Sequence, residues 1–134
     1  MHLARITMAM FTLAGIASAQ GLSYEVFKAK VQPIFFKKRE GHARCVSCHA
    51  GANNAFGLQP LAPGVKAYTE EQTRKNFETV SYLVTPGKPE ESTLLKHPLA
   101  PEGGGDIFHG GGRQFPTKDD PEFKVIAEWI RAAK

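Results

Sequence analysis

Cys45-Val46-Ser47-Cys48-His49 is the stretch on which the rest of the chain depends. It spells C-x-x-C-H, the attachment signal for a c-type haem. Residue types and spacing both follow from the chemistry. Two thiols add to the two vinyl groups of one porphyrin and form thioethers, and two intervening residues let both sulfurs reach the same ring edge. The adjoining His49 then lies under the iron and donates an imidazole nitrogen as proximal ligand. Other chemistries use parts of the same pattern. A closed zinc site needs four ligands. Cys45 and Cys48 are the only cysteines, and a Cys2His2 set would draw on His42, His49, His97 and His109, among which no H-x3-5-H pair exists. A thioredoxin-like dithiol sits in a βαβ context, and no such pattern is present. A structural disulfide between Cys45 and Cys48 is the plainest alternative for an exported chain.

Export is indicated at the N-terminus. His2 to Arg5 is a short basic start, Ile6 to Ile16 is apolar, and Ala17-Ser18-Ala19 is an A-x-A cleavage signal before Gln20. This is the pattern of a secretory signal peptide over residues 1–19. The apolar run is shorter than the about 20 residues that span a bilayer, and no later stretch is long and apolar enough to do so. The expectation is a periplasmic or secreted mature protein, one domain over residues 20–134. Loss of Arg5 lowers the formal charge from +4 to +3. That is a mild bias and not a nucleic-acid footprint. Lys37, Lys38, Arg39 and Arg44 bunch before the motif. They read either as a solvated loop or as a docking patch for an acidic redox partner.

Periodicity places helices on both sides. Ser23 is an N-cap candidate, with Tyr24, Phe27, Val31, Ile34 and Phe35 on one stripe, interrupted by Pro33. Gly41 breaks the chain in the basic loop, where His42 reads as exposed. Thr69-Glu70-Glu71-Gln72 fits a capping box and predicts a helix to about Val80 or Tyr82, with Phe77, Val80 and Val84 on its apolar side. Pro89 to Ser92 starts a short turn carrying Leu94 and Leu95, stopped by Pro98. Asp120-Pro121 opens a last helix with Phe123, Ile126, Ala127 and Ile130 as its stripe and Trp129 beside it. No strand alternation of useful length, internal repeat or second domain is present. A domain of this size has a small core of its own, so much of its interior is expected to come from the cofactor.

Two loops lie between these elements. Ala50 to Gly64, rich in Gly, Asn and Pro, is expected to wrap one haem edge with Phe56, Leu58 and Leu61 packed on the ring. Residues 98–118 carry Gly103-Gly104-Gly105 and Gly110-Gly111-Gly112 around Asp106, Ile107, Phe108 and His109. Long loops in small domains are functional or disordered, and glycine lets backbone approach a ligand closely.

The order helix, C-x-x-C-H, loop, middle helices, loop, C-terminal aromatic helix resembles class I cytochrome c. More narrowly, Val31-Gln32-Pro33-Ile34-Phe35, then Pro86-Gly87-Lys88-Pro89-Glu90-Glu91-Ser92, then Trp129-Ile130 is similar to the small cytochrome c domains of planctomycetes and acidobacteria. The similarity covers nearly all of residues 22–134, although Lys37–Arg44 is longer than its counterpart. It implies an all-α, cytochrome c-like fold around one covalent haem c, with long Gly/Pro-rich loops. Those domains place a methionine, in a Met-Pro-Pro segment, on the distal side of the iron. Here Met1, Met8 and Met10 all lie in the leader, so the mature chain has no sulfur for that role. His109, 20 residues before Trp129, falls about where that segment would and is the favoured distal ligand, with His97 the alternative. Bis-histidine ligation implies a lower potential than Met/His. The expected function is single-electron transfer between redox partner proteins, without chemical change to a substrate. The alternatives are a haem with an open distal site for peroxide or nitric oxide, and a haem-free disulfide or zinc module.

Overall fold

In the computed structural model, which describes residues 21–134, the first helix follows a cap at Ser23. The leader expected over residues 1–19 and the expected mature start at Gln20 lie outside the described residues. Ser23 Oγ accepts from the Val26 amide and opens α1 (Tyr24–Val26). The helix then widens to a π-turn over Phe27–Val31 and tightens to a 3-10 turn over Gln32–Phe36, with Pro33 in its first positions. The interruption expected at Pro33 is thus a change of helical pitch. It keeps Phe27, Val31, Ile34 and Phe35 all buried.

The motif itself forms α2 (Cys45–His49). α3 (Glu70–Ser81) begins with the full capping box: Thr69 Oγ1 accepts from the Gln72 amide and Gln72 Oε1 from the Thr69 amide. A 3-10 turn at Pro89–Glu91 leads into α4 (Thr93–Lys96). Another short turn, Pro101–Gly103, lies inside the long glycine-rich loop. α5 (Pro121–Arg131) is capped by Asp120, whose side chain accepts from the Glu122 and Phe123 amides. Among the described residues there are isolated bridges but no strands, and the fold is all-α in content. Among the described residues no helix is long and apolar enough to cross a membrane.

The core joins the first segment, α3 and α5. Phe27 lies between Phe77 and Trp129, with ring centroids 5.3 and 5.7 Å away. Trp129 is buried with the rest of the α5 stripe, and its Nε1–H donates to Ser23 O at 2.9 Å. Beneath α3, a closed polar network satisfies its own buried groups, as a stable interior requires. Gln32 Nε2 donates to Thr73 Oγ1, Asn76 Nδ2 to Gln32 Oε1, and the Gln59 amide to Asn76 Oδ1. The network ties the loop after the motif to the core.

Part of the basic stretch before the motif is tied to the last helix. Arg39 makes two hydrogen bonds to Asp120 and one to Glu122, and Lys37 pairs with Glu122. Two of the four cations therefore serve the N-terminus of α5, while Lys38 and Arg44 stay exposed. His42 is half-buried, and the α-carbon of Gly112 faces its ring so closely that a Cβ there would lie 2.5 Å from Nδ1.

Candidate functional site

α2 presents Cys45 and Cys48 one turn apart, which puts both sulfurs on one side of the helix. Its end is fixed by His49 O, which accepts from the amides of Ala52 and Leu58. Both thiols are unpaired; Cys48 is exposed and Cys45 only partly so. Burial pushes the Cys45 thiol up to about 11, so it stays protonated at neutral pH.

Cys45, Cys48, His49, His97 and His109 line a single cavity of about 320 Å³. This volume lies within the about 300–1,000 Å³ typical of cofactor pockets. Its apolar walls include Ile34, Phe35, Leu83, Leu94, Phe115 and Ile126. These come from the first segment, the turn after α3, α4, the long loop and α5, so the whole fold converges on it.

The His49 and His109 rings are nearly parallel, 10° apart in plane, with centroids separated by 6.4 Å. That is too far for stacking contact. Two imidazoles bound on opposite sides of one metal ion, with metal–nitrogen bonds of about 2 Å, have centroids about 6 Å apart. His109 Nδ1 donates to Gly112 O at 2.6 Å. A carbonyl only accepts, so the hydrogen sits on Nδ1 and Nε2 keeps its lone pair. Outer hydrogen bonds of this kind fix the tautomer of metal-binding histidines. Burial lowers the pKa of His49, which keeps it in the neutral form that ligates. Asn54 and the Phe56 backbone approach its ring and favour the charged form, yet His49 Nδ1 is buried without a regular hydrogen bond. Phe56 packs on the His49 ring at 4.5 Å. His97 stands edge-on to His109, at 4.9 Å and 83°, and its Nδ1 bonds Asp106 Oδ2 at 3.0 Å.

Of the three side chains assigned to the ring face, Phe56 lines the cavity and the other two do not. Leu58 pairs with Ala50 in a parallel bridge and is turned into the core, and Leu61 is half-buried elsewhere on the loop. That correction has a backbone cause: the hydrogen bonds of Gly51 and Leu58 fold the loop back on α2, so alternate side chains leave the cavity. Gln114 was missed. It is buried, lines the cavity, and donates through Nε2 to Ala43 O and Gly111 O, joining the chain before the motif to the His109 loop. No sequence pattern marks such a cross-loop clamp.

The donor set and the walls fit a flat apolar cofactor held by two sulfurs and two imidazoles. A closed zinc site is a poorer fit: among the described residues no three or more His, Cys, Asp or Glu side chains gather at metal-binding distance. No family model, curated protein or solved structure matches the chain.

Proposed function

We propose that the protein is an exported mono-haem c-type cytochrome that carries single electrons between redox partners, with His49 and His109 as axial ligands. The observation that carries this reading is the meeting, in one apolar cavity, of the C-x-x-C-H residues and a second histidine parallel to the first at 6.4 Å. Cys45 and Cys48 would hold the haem by thioethers, and the haem, when bound, supplies reversible one-electron chemistry at iron. The chain's own part is positional. α2 fixes His49 relative to both sulfurs, Gly112 O fixes the tautomer of His109, and the apolar walls exclude water. Histidine in both axial positions favours a lower potential than a Met/His pair. His109 is preferred over His97 because it is the ring parallel to His49, whereas His97 reaches it only edge-on.

The test is the mature protein made with a c-type maturation system. The expected product carries one haem by mass, keeps it through acid extraction, and gives a low-spin ferric spectrum without a sulfur-to-iron charge-transfer band. Bare polypeptide after correct maturation would overturn the reading. A high-spin resting spectrum on attached haem would favour the open-site alternative.

A further inference from the structure

The His97–Asp106 pair has no part in the function as proposed. Both side chains are at least a third exposed, and an exposed pair of this kind contributes little stability. Its placement is nevertheless specific. Asp106 is brought back to α4 by its amide, which donates to Lys96 O at 3.1 Å, and by Gly105, whose amide donates to Ala100 O. A Cβ on Gly105 would sit 1.8 Å from Leu99 O, so only glycine lets the chain return this closely. A carboxylate accepts, so the hydrogen bond that His97 Nδ1–H donates to Asp106 Oδ2 keeps the hydrogen on Nδ1 and sets the orientation of that ring.

The held ring then stands edge-on against His109. The His109 ring itself is hydrogen-bonded through Nδ1 to Gly112 O. A single in-plane hydrogen bond tolerates a swing of the ring about it; a second ring packed nearly perpendicular to it at 4.9 Å resists that swing. We propose that His97, braced by Asp106, is a positioning residue that holds the plane of the His109 ring parallel to that of His49. This rests on the reading of His49 and His109 as axial ligands. In a low-spin ferric haem the angle between two axial imidazole planes sets the splitting of the iron d orbitals, so parallel planes give a rhombic EPR signal with three resolved g-values. Crossed planes give a single feature at large g.

The experiment is EPR of the matured ferric holoprotein. Wild type is expected to be rhombic. His97→Ala should stay low-spin while its largest g-value moves to lower field, and His97→Phe, which restores a ring, should return it towards wild type. Asp106→Ala should follow His97→Ala, and Asp106→Asn, which still accepts from Nδ1–H, should shift less. Unchanged g-values in His97→Ala would overturn the proposal. So would a high-spin His97→Ala, because His97 would then be a ligand itself. Wild-type protein without low-spin haem would instead sink the earlier reading, so the two failures are distinct.

Discussion

His49 and His109 reach the same cavity by different means. His49 is the last residue of α2, one position after Cys48, and is held by a helical turn and by two amides that bond to its carbonyl. His109 belongs to no helix; it is held through Gly112 O, the Gln114 clamp on Gly111 O and the edge of His97. One side of the site is built by neighbours in sequence and the other by contacts across loops. The motif side should therefore tolerate little chemical change and the loop side should fail by degrees.

The largest effect is expected on the motif side. Cys45→Ala combined with Cys48→Ala should abolish covalently held haem, read as complete loss of the mass increment. His109→Ala should leave the increment intact and convert the iron from low- to high-spin in the visible spectrum; an unchanged spectrum would transfer the ligand role to His97. Gly112→Ala is milder and probes the seam between the loop side and the chain before the motif. Gly112 has φ +87°, and a Cβ would press on the His42 ring. A cost of about 2 kcal/mol in denaturant unfolding is expected for a non-glycine residue in that conformation against a neighbour.

Asp120 supports the motif side from a distance, through Arg39. Burial alone would raise its pKa; hydrogen bonds from Arg39 and from the Phe123 and Glu122 amides outweigh it and hold the carboxyl below its usual value. With the folded pKa depressed, its contribution is complete above about pH 4, the ordinary carboxylate value. It is lost as pH falls through the lower folded value. Asp120→Ala should cost about 1–2 kcal/mol at neutral pH, and the difference from wild type should shrink below pH 4 in thermal unfolding. The smallest effect separates the two thiols. In haem-free protein, Cys45 should alkylate about tenfold more slowly than an ordinary thiol at pH 8, since its low thiolate fraction outweighs its greater nucleophilicity. Cys48 should be modified first, as peptide mapping would show.

The same contrast explains what could be read beforehand. The caps at Ser23, Thr69 and Asp120 were legible because a cap is a contact between residues two or three apart. The apolar stripes of the first segment and α5 were legible for a similar reason. The C-x-x-C-H residues declared their own geometry. The facing of Leu58 was not legible, because a bridge to Ala50 decides it. Nor was the use of Arg39, whose partners Asp120 and Glu122 lie 81 and 83 residues further on. The pairing of Leu99 with Phe115 gives the long loop an internal order that its glycine content conceals.

That distant attachment of Arg39 bears on biogenesis. If the chain is exported as proposed and threads through a translocon N-terminus first, Arg39 meets neither Asp120 nor Glu122 until the start of the final helix has emerged. The two sulfurs would be presented to the ligating machinery while their approach is still slack, and late closure would then seal the modified form. Stalled translocation intermediates ending before Asp120 should accept the pigment at least as fast as the finished chain; slower acceptance would rule this sequence of events out.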